Sequence, residues 1–365
     1  MTDARIKVAI VRAGMIANAG QIPAWQHVNE AEIVGVYNHH LGRATDTAAR
    51  YGIAGAYDDL ARMLDELQPD LAVVCTPNVS HRQYTIEALQ AGAHVLCEKP
   101  VAASYGDAVA MYDAAETAGR TLYVGQTGRF SGAVMAAKAL ADAGELGEVY
   151  YAETASLRRR GVPTWGRFHL RSASGGGPLL DIGVHALDAL LWIIGNPRVV
   201  AASGATYTKL ADQEEGLVTS LAESGAPVGV HNPRPYDPKE FDVEDLAAGM
   251  LRLENGATIG IKASWAANVP DGTGETLVLG TRGGLRFHPL TLIRNLAGYQ
   301  IDVTPKVPPA PDIPFYGHWR QAAHVARVLH GQEPPMVTRD QVLNVMRALD
   351  GLYRSAELGR EVRLD

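Results

Sequence analysis

Three side chains stand where this sequence can do chemistry: one lysine, and an aspartate and histidine spaced one helical turn apart. The pair lies in SGGGPLLDIGVHALDALLW, residues 174–192. The glycine run and Pro178 suit a backbone bend that opens a helix. On that helix Asp181, His185, Asp188 and Trp192 fall at i, i+4, i+7 and i+11, a single stripe. The other positions are apolar or small, so the stripe sits on an otherwise buried helix, where ionisable groups are costly unless paired. A carboxylate one turn before an imidazole orients the ring and raises its basicity. A structural Asp–His pair, or a helix cap by Asp181, is the plainer reading; an acid/base pair is the stronger one. The lysine is Lys99 of CEKP, residues 97–100, one of only seven lysines in the chain. It follows an apolar strand and precedes Pro100, which keeps it out of helical geometry. That placement projects an ammonium across a sheet edge rather than leaving a surface cation.

Such a set suits alcohol oxidation. When a hydride leaves a carbinol carbon the hydroxyl proton must leave as well. A neutral imidazole can take that proton, and an ammonium stabilises the developing alkoxide.

The hydride needs an acceptor, and the first strand runs into VRAGMIA, residues 11–17. A dinucleotide fingerprint wants Gly-x-Gly-x-x-Gly/Ala there, so that backbone amides and a helix N-terminus meet the pyrophosphate. Gly14 and Ala17 occupy the second and third positions, with Ala13, Met15 and Ile16 between and around them; Arg12 stands where the first glycine belongs. Arg12 has two readings: its side chain obstructs the pyrophosphate, or its guanidinium attracts phosphate charge. The second strand ends in Asn38, His39 and His40, with Arg43 following. A carboxylate that would bind the adenosine ribose and repel a 2′-phosphate is missing, which tilts the expected cofactor toward NADP or dual use of NAD and NADP. No metal is expected, because adjacent histidines on a strand end point apart. Two more strand ends carry candidate ligand contacts, CTPN followed by His81 (Thr76, Pro77, Asn78) and CEKP with Glu98.

The elements that must position these residues follow from periodicity. The first 125 residues alternate short apolar runs (Lys7–Val11, Glu32–Tyr37, Leu71–Cys75, His94–Cys97, Thr121–Val124) with helical stretches, the pattern of a doubly wound parallel sheet. Residues 1–125 are read as a dinucleotide-binding domain of α/β Rossmann type. Residues 126–365 read as an α+β domain with a large open, mostly antiparallel sheet. Its signals are the strand Val149–Leu157, two alternating segments joined at Asn255-Gly256, and helices at Asp181–Ile194, Gly317–Leu329 and Arg339–Ala356. Pro305–Pro314 reads as a crossing loop.

Composition narrows the class. With 365 residues, 47% hydrophobic, and roughly 150 residues per domain, about two folded domains are expected. A net charge of -7 argues against a nucleic-acid partner. No apolar run approaches the roughly 20 residues of a membrane span, and no signal peptide is evident. Cys75 and Cys97 both sit in strand-like contexts, which suits a reducing, cytoplasmic setting.

The chain resembles the glucose-fructose oxidoreductase, inositol dehydrogenase and MocA (Gfo/Idh/MocA) family. EKP (98–100) and DIGVH (181–185) carry the resemblance together, supported by FDVEDLA (241–247), ENGA (254–257), SWA (264–266) and GTRGG (280–284). The resemblance implies hydride transfer between NAD(P) and a secondary alcohol or ketone of a sugar, polyol or cyclitol. It assigns Lys99, Asp181 and His185 to the reacting group and Thr76, Pro77, Asn78, His81 and Glu98 to the cofactor. It also implies a homodimer or homotetramer formed through the open sheet. Arg158, Arg160 and Trp165 are placed at the sugar, with surface-loop residues as the competing reading. Two alternatives on the same fold are an NAD-using glycoside hydrolase and a non-catalytic sugar or dinucleotide sensor.

Overall fold

The computed structural model describes residues 5–213, 228–231, 233–270 and 273–364. It divides into two units, the first comprising Met1–Thr127, Ala226–Arg234 and Pro311–Arg339, the second Gly128–Gly225, Pro235–Ala310 and Asp340–Asp365. The first unit thus draws on two segments from beyond residue 125. The later one is an amphipathic helix whose Ala322, Val325 and Ala326 join the apolar cluster around Trp25, Ile22 and Leu71.

In the first unit, strands β1 (Ile6–Val11), β2 (Ala31–Tyr37), β3 (Gly55–Tyr57), β4 (Leu71–Val74), β5 (His94–Cys97) and β6 (Leu122–Val124) form an all-parallel sheet. Their order is β3-β2-β1-β4-β5-β6. The central strands are buried on both faces over Val8–Val11 of β1 and all of β4, hence their continuous apolar runs there; Lys7 alone is exposed. Helices α1 (Ile22–Gln26), α2 (Leu41–Tyr51), α3 (Leu60–Leu67), α4 (His81–Gln90) and α5 (Tyr105–Thr117) make the crossovers. Asp59 and Ser104 cap α3 and α5 by accepting from Arg62 and Asp107 amides. The order reverses between β1 and β4, and ligands of such sheets gather at the carboxyl ends beside that point.

The second unit opens with α6 (Gly132–Asp142) and β7 (Val149–Leu157). A single-turn α7 (Arg171–Ser174), a π-turn (Leu179–Gly183) and α8 (Val184–Ile193) follow. Then come β8 (Val199–Tyr207), β9 (Leu246–Leu253), β10 (Thr258–Ser264), β11 (Thr276–Gly280), β12 (Gly283–Arg286), β13 (Thr291–Leu296) and β14 (Tyr299–Val303). Helix α9 (Tyr316–Leu329) belongs to the first unit, and α10 (Arg339–Leu358) leads to β15 (Val362–Arg363). The nine strands run β14-β13-β12-β11-β7-β10-β9-β8-β15, antiparallel throughout except β7 with β10. The Asn255-Gly256 turn joins β9 to β10 with Gly256 at φ +87°, as the dipeptide predicts. Arg171–Ile193 is apolar and long enough to pass, by length and composition alone, for a membrane span, which the sequence reading did not foresee. Most of it is buried, with α8 and the π-turn against β7 and β10, the position of a core helix.

Candidate active site

Gly14 and Lys99 stand at the same edge of one parallel sheet, just past β1 and β5, with Thr76 and Pro77 past β4 between them. Past β1 the chain turns at Arg12, whose φ of +78° lies in the left-handed region where glycine is at ease. The missing fingerprint glycine is therefore a real conformational demand, met here by arginine. The Arg12 amide donates to Tyr37 O at 2.8 Å, tying this turn to the end of β2. A Cβ on Gly14 would meet only Cys75 O, at 3.9 Å, so the loop passes close over the end of β4. The helix that follows contains a π-turn, Ala17–Gln21, and Asn18 donates its side-chain amide to Gly14 O at 2.7 Å. π-Turns are rare and concentrate at functional sites. A glycine loop feeding a helix N-terminus at the switch point fits a dinucleotide pyrophosphate, with Ala13, Met15 and Ile16 supplying backbone around it.

Asn38 is buried at the end of β2, and its Oδ1 accepts from the His40 amide at 3.2 Å, an Asx-type turn. His39 and His40 do not point apart as expected: their rings lie side by side, centroids 4.0 Å apart and planes tilted by 45°, and both are exposed, as is Arg43 on the first turn of α2. Past β4, Thr76 is buried while Pro77 and Asn78 are partly exposed. His81 is 1% exposed, and its ring nitrogens face Pro100 O at 2.8 Å and Thr76 O at 2.9 Å. Burial lowers its pKa against the opposing pull of those carbonyls. His81 was expected among the cofactor contacts; it clamps the loops after β4 and β5 to each other.

Glu98 is likewise interior. Its Oε1 accepts from Gln21 Nε2 at 2.7 Å and faces His318 Nε2 at 3.4 Å, while Oε2 takes the Lys99 amide at 3.3 Å. Burial alone would push this carboxyl up; His318, Gln21 and Lys99 outweigh it and hold it at about 2. Lys99 is half-buried beside it.

In the second unit, the π-turn Leu179–Gly183 carries Asp181 and α8 carries His185, both half-buried. The preceding glycines are there for clearance. A Cβ on Gly177 would lie 2.1 Å from Glu244 O, and one on Gly176 2.3 Å from the Tyr353 hydroxyl. Glu244 takes the Leu179 amide (3.4 Å) and the Tyr353 hydroxyl (2.7 Å) on Oε1, placing an acidic group at the start of the π-turn. Asp181 Oδ2 accepts from the indole of fully buried Trp265 at 2.9 Å.

The four-residue stripe divides in two. Asp188 pairs bidentately with Arg129, at 2.8 and 2.6 Å, both side chains buried. The same guanidinium lies 5.5 Å from the Trp192 ring centroid. Burial raises the Asp188 carboxyl despite that cation. Asp188 and Trp192 fasten α8 in the unit, whereas Asp181 and His185 stay half-buried.

Of the proposed sugar contacts, Arg158 folds over Gly161 and donates to its carbonyl at 3.2 Å. Arg160 donates to Asn268 Oδ1 at 3.0 Å. Trp165 packs edge-on against Phe168, and its buried indole N–H has no hydrogen-bond partner among the described residues. Sequence reading missed His318, Gln21, Trp265, Glu244 and Arg129. Trp265 and Glu244 had a local signal, in the SWA and FDVEDLA motifs.

Known proteins match along the whole chain. Residues 6–126 match the model of the oxidoreductase family with an NAD-binding Rossmann fold, and 134–286 match the GFO/IDH/MocA C-terminal domain. D-glucoside 3-dehydrogenase of Escherichia coli is 30% identical over 100% of this chain and 99% of its own length. D-xylose 1-dehydrogenase (NADP(+)) 2 of Haloferax volcanii is 27% identical over 96% and 99%. Aldose-aldose oxidoreductase of Caulobacter crescentus, solved with glycerol, superposes with a TM-score of 0.76 at 26% identity, covering 99% and 100%.

Proposed function

The chain belongs to the Gfo/Idh/MocA family of oxidoreductases, and we propose that it is an NAD(P)-dependent dehydrogenase acting on a secondary alcohol of a pyranose sugar or glycoside. One observation carries this reading: Gly14 and Lys99 share the carboxyl edge of one parallel sheet, at and beside its switch point. Bound at Gly14 and the helix after it, the nicotinamide cofactor supplies the hydride acceptor. The chain's own residues handle charge and protons. Lys99 holds the reacting oxygen and stabilises alkoxide character with its ammonium. The His185 imidazole receives the hydroxyl proton in oxidation and returns it in reduction. Asp181, steadied by Trp265, orients that imidazole. Trp165, packed edge-on against Phe168, stands with Arg158 as the proposed sugar contact.

D-glucosides are the first substrates to try, because the full-length Escherichia coli relative is named for them. Asn38 and Arg43 support use of NADP as well as NAD. Copies of the chain associate through the open sheet face, where strand register aligns Arg252, Thr258, Tyr151, Leu279, Gly284 and Ile293 in one row. Buried free thiols at Cys75 and Cys97 suit a reducing, cytoplasmic setting.

The test is a panel of glucosides, free aldoses and inositols with NAD⁺ and NADP⁺, following reduced cofactor by absorbance. Turnover of at least one pyranoside supports the reading. Glycoside hydrolysis without net reduced cofactor points to the NAD-using hydrolase instead, and no reaction with any sugar overturns both.

A further inference from the structure

Lys99 stands beside a carboxylate that has no solvent to hold it. Glu98 is 4% exposed and needs donors from the protein. Gln21 and the Lys99 amide supply two, and the third group facing it is His318, 7% exposed, on α9. The fit around this cluster is close. A Cβ on Gly20 would meet the His318 ring at 3.1 Å, and one on Gly125 would meet Glu98 Oε2 at 2.9 Å. Phe315 packs edge-on against His318, with centroids 5.6 Å apart. The thiols of Cys75 and Cys97 and the imidazole of His81 also act electrostatically with Glu98. Burial keeps both thiols protonated and favours neutral His81, so His318 and Lys99 remain as the groups that offset the carboxylate's charge.

We propose that His318 is a positioning residue for Lys99: it secures one oxygen of Glu98, whose other oxygen holds the Lys99 amide. This rests on the reading of Lys99 as a catalytic residue. The segment bearing His318 comes from late in the chain yet belongs to the first unit. The nucleotide-binding unit is thus completed by a residue that its own Rossmann segment does not contain. A histidine suits the position because its ring packs against Gly20 while a ring nitrogen reaches Glu98. A phenylalanine would keep the packing and lose the nitrogen.

The experiment compares wild type with His318→Phe, His318→Gln and Lys99→Ala. The expected result is a drop in kcat of at least about tenfold for His318→Phe, with KM for the cofactor within about twofold. His318→Gln, which keeps an N–H donor, should recover a substantial part of that loss. A second readout does not depend on turnover. Reductive ¹³C-methylation labels the seven lysines, and Lys99→Ala identifies the Lys99 resonance. In His318→Phe that resonance should move while those of the other six stay in place. An unmoved Lys99 resonance, or normal kcat with a lowered Tm, overturns the proposal and makes His318 a packing residue only. If Lys99→Ala itself turns over normally, the failure lies with the catalytic reading of Lys99, and the resonance shift still decides whether His318 positions it.

Discussion

The Trp265 indole donates to Asp181 across 2.9 Å, linking the end of β10 to the π-turn that carries the carboxylate. Trp265 is held in turn by its backbone. Its amide donates to Asp245 O at 3.0 Å and its carbonyl accepts from Gly161 at 2.7 Å. Around it lies a small apolar cluster with Val162, Phe241 and Val243. A carboxylate fixed this way presents one defined face along its helix, and a fixed carboxylate orients an imidazole better than a mobile one.

Trp265→Phe should therefore hurt catalysis more than folding. The variant keeps an aromatic ring in the cluster but deletes the donor to Asp181, a charge-assisted bond worth about 1.5–3 kcal/mol. The expected outcome is roughly a tenfold loss of kcat with a Tm drop of a few degrees. Should kcat hold while Tm falls, Trp265 serves packing and Asp181 needs no help from it.

Lys99→Ala and His185→Ala should each lower turnover by at least about 100-fold while the far-ultraviolet circular dichroism stays unchanged. Both side chains are only half-buried, so truncation leaves the sheet and helix cores untouched. Near-normal turnover on the true substrate would remove that residue from the assignment.

Much of the framework was legible because five of the six strands of the parallel sheet are short, mostly apolar runs between helical stretches. Predicted and observed bounds agree within a residue for β1, β2, β4, β5 and β6. The three-residue β3, Gly55–Tyr57, was missed because its side chains are only half-buried and make no apolar run. The stripe on α8 was legible as a stripe but not as two halves. What splits it is Arg129, whose pairing with Asp188 depends on tertiary packing and leaves no trace in local spacing. The π-turns at Ala17–Gln21 and Leu179–Gly183 were equally hidden, since apolar periodicity reports a face rather than a hydrogen-bond offset. Glu98 is placed at the cofactor by the family resemblance, and its buried hydrogen-bond setting was not legible in the sequence. Its partner His318 lies far along the chain, and only the fold reveals the pair.

That pair sets an acid limit. Glu98 is held at about 2 against its ordinary 4.5. A carboxylate depressed in the fold contributes stability above its unfolded pKa, which is lost as pH falls through the folded one. The contribution is about 3 kcal/mol at neutral pH, disappearing between about pH 4.5 and 2. Thermal melts of wild type and Glu98→Gln should differ most at neutral pH and converge toward pH 2. A gap independent of pH would show that Glu98 is not ionised in the fold.

Arg12→Gly tests the broken fingerprint. Relieving the left-handed φ of +78° should gain up to about 1 kcal/mol, offset in part by the freedom glycine adds to the unfolded chain. Clearing the turn should also tighten dinucleotide binding, as read by calorimetric titration. Weaker binding in the glycine variant would make Arg12 a phosphate ligand. The two measurements separate strain from contact, because a ligand role moves affinity without requiring a gain in Tm.

Cofactor choice turns on Asn38. Its Oδ1 already accepts from the His40 amide at 3.2 Å, so Asn38→Asp keeps that acceptor and the turn while adding a negative charge at the end of β2. Arg43 is exposed on the first turn of α2 and is the cation expected to meet a 2′-phosphate. Wild type should therefore use NADP(H) measurably, and Asn38→Asp should shift the preference toward NAD(H). A like charge beside a phosphate costs on the order of one to a few kcal/mol, which is roughly ten- to a hundredfold in the ratio. Arg43→Ala should move the ratio the same way by removing attraction instead of adding repulsion. Measuring kcat/KM with both cofactors for the three proteins decides it. A ratio unchanged in Asn38→Asp but altered in Arg43→Ala would place the phosphate at α2 alone, and a ratio unchanged in both would move the adenosine ribose away from the end of β2.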